Sequence, residues 1–339
     1  IKYIDDLHRG DARINDLTVS DIRLYREFIK ELPKGAKIKN KPISDLVILS
    51  SKSTRSKKST KTINGTYANV GTFLKWVSKQ GYPIAPNIHP VLTNYLQTRA
   101  KDKNLRAPLS DDDIRSLFSS AQYTTSGKFK TSAMYWAPLI ALFTGARMGE
   151  ILQLETHDIQ QIDNHWVFDI NDDHSKTNDK YKHVKADGSQ RQVPIHLTLI
   201  KLGFIDYVKE QDGSLFPDEP RNQAGKFDNF QKRFTTYRKN AGVAPHHKNE
   251  RRDFHSFRHT VRTRLSEIRS TGRASQRFDE GIIDAIVGHA SKDRSEGQKT
   301  YNHSQLLKAK SKALNRLQYD CIDFDAIKPW DKCSFWRKR

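Results

Sequence analysis

The 339 residues are enough for two domains of ordinary size, and 59 Lys+Arg against 39 Asp+Glu leave a net charge of +20, suited to holding a polyanion such as nucleic acid. No apolar run reaches the roughly 18 to 20 residues of a spanning helix and no amino-terminal stretch has a signal-peptide pattern, so a cytoplasmic protein without a membrane partner is expected. Cys321 and Cys333 lack C-x-x-C spacing and are expected as reduced thiols. The chain begins at Ile1 rather than Met, which leaves an upstream arm-binding domain open.

In chain order, Thr18-x-x-Asp21 is a capping pair ahead of Ile22, Leu24, Tyr25, Phe28, Ile29 and Leu32, a helical stripe that Pro33 ends. Residues 51–62 form a polar loop in which Lys52, Arg55, Lys57, Lys58 and Lys61 stand among serines and threonines, either tracking phosphates or simply solvated. Ile63, Tyr67, Val70, Phe73, Leu74 and Val77 predict a second helix, closed by Gly81 and Pro83, and Leu92, Tyr95 and Leu96 suggest a third. Residues 1–107 hold 21 Lys+Arg and 9 Asp+Glu, so more than half of the excess charge lies in this third of the chain. A boundary is placed at Pro108, which precedes a second capping pair, Ser110 and Asp113. Beyond it the pattern is mixed: helices over 111–120 and 131–155, strands over 166–170 and 192–196 with a long polar insertion between them, then helices from 226 past 300. The fold class is mainly α with a small β-sheet (α+β).

Four segments carry candidate chemistry. In Thr144-Gly145-Ala146-Arg147-Met148-Gly149-Glu150 an apolar helix breaks at Thr-Gly and restarts, so Arg147 projects from a turn; alone, it also reads as a surface arginine paired with Glu150 or Glu155. In His255-Ser256-Phe257-Arg258-His259 helical spacing brings an imidazole and a guanidinium to one face. His255 and His259 also have the spacing of a zinc pair, but no Glu stands between them and neighbouring arginines would repel a cation. Gly288-His289 ends an apolar helix, and Tyr301 sits among polar residues.

Together these segments resemble the tyrosine recombinase (phage integrase) family. Its T-G-x-R-x-x-E-[IL] box matches Thr144 to Ile151, its H-x-x-R box matches His255 and Arg258, and its G-H pair and tyrosine match Gly288-His289 and Tyr301, all in family order. His174-Ser175-Lys176-Thr177, followed by Arg191-Gln192-Val193-Pro194-Ile195, resembles the family's lysine hairpin. Lys176 is the matching lysine, with Lys180, Lys182 and Lys185 in the same enlarged loop as alternatives. Twelve positions separate His289 from Tyr301, more than is usual in the family.

The resemblance implies a helical core-type DNA-binding domain over 1–107 and a catalytic domain over 108–305, closing on DNA as a C-shaped clamp. It also implies a tail over 306–339 that packs on a neighbouring protomer, with folding back on its own domain as the alternative. Arg147, Lys176, His255, Arg258, His289 and Tyr301 would be catalytic, with Glu150 supporting the arginine. The function expected is site-specific recombination or integration through a 3′-phosphotyrosine intermediate. It would use no metal, cofactor or ATP, since two guanidinium forks match the phosphate oxygens. Its partners would be double-stranded attachment or recombination sites, three further protomers in a homotetramer on DNA, and accessory DNA-bending proteins; when free it would be a monomer or weak oligomer. A bacterial, phage or mobile-element origin goes with this. The alternatives are a type IB topoisomerase-like relaxing enzyme and a non-catalytic DNA-binding regulator of the same fold.

Overall fold

The computed structural model describes residues 13–35, 54, 56–97, 105–126, 129–175, 179–184, 189–244, 246–247, 250–271, 278–289 and 303–330. The chain divides into two compact units, Ile1–Asn104 and Leu105–Arg339.

In the first unit, α1 (Val19–Glu31) opens on the expected cap: Thr18 N–H donates to Asp21 Oδ2 at 2.8 Å and Asp21 N–H returns to Thr18 Oγ1 at 3.2 Å. α2 (Thr60–Lys79) starts from a Ser59 cap, so Lys61 lies in its first turn rather than in the polar loop where the sequence placed it. The third helix is α3 (Ile88–Thr93), four residues upstream of the expected position because Asn94 already leaves helical geometry. Ile22, Tyr25 and Ile29 pack with Ile63, Tyr67, Leu74, Ile88 and Leu92. The buried Arg26 donates to the carbonyls of Val91, Leu92 and Asn94, satisfying the end of α3, while its guanidinium lies 4.7 Å from the Tyr67 ring centre.

The second unit begins with β1 (Leu105–Arg106), which pairs in parallel with β6 (Glu250–Arg251); β5 (His246–His247) joins on the other side of β6. This pairing ties residues 105 and 106 to the second unit, ahead of the boundary read at Pro108. Then follow α4 (Asp111–Phe118), capped reciprocally by Ser110 and Asp113, and α5 (Ser132–Thr144). Every residue of α5 is buried, as for a helix apolar on all sides, and it forms the axis of the unit. After α6 (Met148–Leu152) comes an antiparallel sheet of β2 (Ile159–Ile162), β3 (His165–Ile170) and β4 (Arg191–Pro194). The register pairs Phe168 with Val193. The remaining helices are α7 (Leu197–Lys201), α8 (Phe204–Lys209), α9 (Asp228–Asn240), α10 (Ser256–Thr271), α11 (Glu280–Val287) and α12 (His303–Leu314).

The tail folds onto its own unit through residue 330. Leu307, Leu314, Leu317, Tyr319, Ile322 and Ile327 are buried. Tyr319 Oη donates to Leu142 O at 2.6 Å and Tyr135 Oη to Lys328 O at 2.9 Å, so the tail closes over α5. The end of the tail expectation, residues 331–339, lies outside the described residues. Among the described residues no helix is long and apolar enough to cross a membrane.

Candidate active site

The break between α5 and α6 is built around Gly145. Its φ is +62°, and a Cβ there would lie 3.2 Å from Val287 Cγ1 and 3.3 Å from Val261 Cβ, so glycine alone lets α5 turn off against α10 and α11. Two residues on, Arg147 is the N-cap of α6. Its N–H donates to Glu150 Oε2 at 2.9 Å, its Nη1 pairs with Glu150 Oε1, and 22% of the side chain remains exposed. Glu150 also accepts from Arg191 Nη2 at 2.9 Å. Burial works to raise this carboxyl, but the charge and hydrogen bond of Arg191, with help from Arg147, hold it below the usual carboxylate range. Of the two pairings open in the sequence, Glu150 rather than Glu155 is the partner of Arg147.

The C-terminal end of α11 receives two arginines. Arg191 Nε donates to Ile286 O at 2.7 Å and its Nη1 to Ser189 O at 2.8 Å. Arg258, in the first turn of α10, donates through Nη1 to Val287 O and, at 3.2 Å, to Gly145 O, and through Nη2 to Gly288 O at 3.0 Å. A helix terminus leaves carbonyls unpaired and carries partial negative charge, which explains why guanidinium groups collect there. Gly288 makes the approach possible: φ is +72°, and a Cβ would fall 2.6 Å from Arg191 Nη1. Burial, then the charges of Arg147 and Arg191, push Arg258 down to about 9, which leaves it cationic at neutral pH. Of its five N–H donors these contacts engage three.

His255 immediately precedes α10, and its N–H donates to Asp253 Oδ1 at 2.9 Å. Burial first, then Arg106, His259 and Arg258, push its imidazole down to about 4, so the ring is neutral at pH 7. The His259 ring lies 5.4 Å away and is lowered for similar reasons. His289 follows Gly288; its Nδ1 is 3.2 Å from Arg262 Nη1 and 3.5 Å from Asp284 Oδ1. Burial, Arg258 and Arg262 lower it too. Among the described residues no cluster of three or more His, Cys, Asp or Glu side chains is placed to hold a metal ion.

The first, second and third boxes are thus joined by direct contacts, through Glu150 to Arg191 to Ile286 and through Arg258 to Gly145 and Gly288. Tyr301, Lys176 and Lys185 lie outside the described residues, as do Lys52 and Arg55. Lys182, left open by the sequence as a lysine that reaches DNA, is instead 1% exposed and bound to Asp158, because the insertion folds back on the unit there. Lys57 pairs with Glu31 at 2.6 Å, Lys58 is half-buried and lowered by that burial, and Lys61 is exposed. Arg191 was not singled out from the sequence. The available signal was its place at the head of a Val-Pro strand, opposite the apolar Ile170.

A model of the phage integrase family matches residues 108–306, more than half of the chain. Among solved structures, the integrase from mycobacterium phage Brujita is similar at 15% identity and a TM-score of 0.39, covering 96% of each chain. A lambda integrase dimer bound to a COC′ core site is 16% identical, with a TM-score of 0.48 over 90% of this chain and 85% of that one. XerH recombinase bound to a palindromic difH substrate is 17% identical, with a TM-score of 0.49 over 84% and 70%. No curated protein matches the chain. On the extent of the family match and the order of its boxes, this chain belongs to the phage integrase family of tyrosine recombinases.

Proposed function

We propose that this chain is a site-specific DNA recombinase that cuts and rejoins strands through a 3′-phosphotyrosine at Tyr301. The observation that carries the reading is the joining of Arg147, Arg258, His255 and His289 around one helix break and one helix end. A phosphodiester under attack gathers negative charge on its non-bridging oxygens, which fixed guanidinium groups stabilise without reorganising. Arg147 offers the exposed part of its fork, and Arg258 the two N–H groups not engaged by carbonyls. Glu150 and Arg191 act through Arg147 as positioning residues.

In the forward step Tyr301 Oη bonds to phosphorus and the bond from phosphorus to the 5′-oxygen breaks. His255, neutral in its buried setting, accepts the tyrosine proton, and Lys176 gives one to the departing 5′-oxygen. His289 donates to the phosphate. Attack by the 5′-hydroxyl of a partner strand reverses the chemistry and reseals without ATP. Two duplexes held by four protomers give strand exchange, and the net charge of +20 supports DNA as the partner. A regulatory exchange of the tail between protomers belongs to the same proposal.

The test is a nicked suicide duplex carrying the attachment site. The wild-type chain should become covalently trapped, in EDTA as well as in magnesium, and Tyr301→Phe should bind equally without trapping. Binding with no trapping by the wild type would establish a DNA-binding protein without catalysis. Relaxation of plasmids lacking any recognition site, by monomers, would establish a topoisomerase.

A further inference from the structure

Nineteen residues separate Asn171 from Arg191, and a loop of that length would let a lysine wander widely. The described part of the insertion is instead fastened at its middle. Lys182 Nζ bonds both oxygens of Asp158 at 2.8 Å, both side chains being buried. Asp158 also accepts from Glu155 N–H and from Asn171 Nδ2, each at 2.9 Å, so one carboxylate gathers the turn before β2, the end of β3 and the middle of the insertion. Next to it, Gln153 meets the His183 backbone on both sides: Nε2 donates to His183 O at 3.0 Å, and His183 N–H donates to Oε1 at 3.2 Å. Arg221 donates to the same Oε1 and, at 2.8 Å, to Asp179 Oδ2. The Tyr181 ring rests on Gly225, where a Cβ would lie 2.6 Å away, and its hydroxyl donates to Gln223 O at 3.3 Å.

From these contacts we infer that residues 179–183 form a clamp that positions the hairpin lysine, with Lys182 and Asp158 as its centre. The inference rests on the reading of Lys176 as general acid. The clamp divides the insertion into 172–178 and 184–190. On the near side Asn171 and Asp173 each accept an N–H from two residues on, at 3.0 and 2.8 Å, which orders the chain up to Ser175, the residue before Lys176. On the far side the fastened stretch begins at Asp179, three positions after Lys176 in the sequence and held by Arg221. Seven residues between anchors in place of nineteen cut the loop freedom open to the lysine about fourfold by chain statistics alone. A buried lysine is thereby spent on structure so that its neighbour can act.

The experiment measures single-turnover cleavage of two duplexes, one with the ordinary bridging 5′-oxygen and one with sulfur there, whose thiolate leaves without an acid. Asp158→Asn with Lys182→Met removes the central pair without stranding a buried charge; Tyr181→Ala removes an exposed contact of the same clamp and spares the interior. Both should slow the oxygen substrate about fourfold or more, leave the sulfur substrate at the wild-type rate and leave DNA affinity unchanged. Equal slowing on both substrates, or on neither, overturns the clamp as a positioning device. Lys176→Ala is measured in parallel: rescue by sulfur upholds the acid reading. Rescue of the clamp variants but not of Lys176→Ala would discard Lys176 as the acid while keeping the clamp.

Discussion

At the scale of single residues, the site depends on two glycines whose replacement is costly for different neighbours. In Gly288→Ala the left-handed backbone alone costs about 1–2 kcal/mol, and the new methyl falls on the Arg191 guanidinium. Both a lower Tm and a cleavage rate reduced beyond what the lost folded fraction explains are expected; an unchanged rate would show that Arg191 and Glu150 do not position Arg147. His255 gives a second expectation. Its proton-accepting form is the neutral one, and with the imidazole at about 4 that form persists as pH falls from 6.5 toward 4. The acid limb of single-turnover cleavage should therefore lie near pH 4, and His255→Asn should remove it. The candidates Arg147, His255, Arg258 and His289 could be picked out because they sit in short, spaced motifs. Arg191 was not, because the carbonyl that takes its Nε–H belongs to Ile286, 95 positions away, and its sequence neighbours do not record such a contact. Lys182 misleads for the same reason: within a run of lysines, only the distant Asp158 marks it as interior.

At the scale of elements, the capping pairs at Thr18 and Ser110 and the stripes of α1 and α2 could be read directly, since they are local and several turns long. The two-residue strands β1, β5 and β6 and the five-residue helix α7 could not, because they are shorter than any periodicity that would announce them. The sequence left open whether the tail packs on a neighbouring protomer or folds back on its own domain. In the single chain Leu314 and Leu317 are part of the same core as α5, and Lys310 Nζ donates to Gln192 O at 2.9 Å, fixing α12 beside β4. Leu317→Ala, at a fully buried position, should cost about 2–5 kcal/mol in urea unfolding of the second unit. A cost near zero would mean that the tail leaves this groove in solution.

At the scale of the whole molecule, charge is the property most plainly written in the composition, and it sets the ionic-strength dependence. If binding uses six to ten phosphate contacts, affinity for duplex DNA should fall by about 10³ to 10⁵ between 50 and 200 mM salt. A shallow dependence in a fluorescence-anisotropy titration would mean that the excess of +20 is not directed at the DNA. In the division into Ile1–Asn104 and Leu105–Arg339, β1 goes with the second unit because it needs β6 for its hydrogen bonds. The tail also contains a chemical reporter. Cys321 is a free thiol, half-buried in the segment that closes over α5, and burial followed by the charge of Asp111 raises its pKa. Thiolate is the form that alkylates, so iodoacetamide should modify this position slowly while the segment stays in place and quickly once it departs. With Cys333→Ser removing the other thiol, labelling before and after DNA is added turns the whereabouts of the tail into a reaction rate.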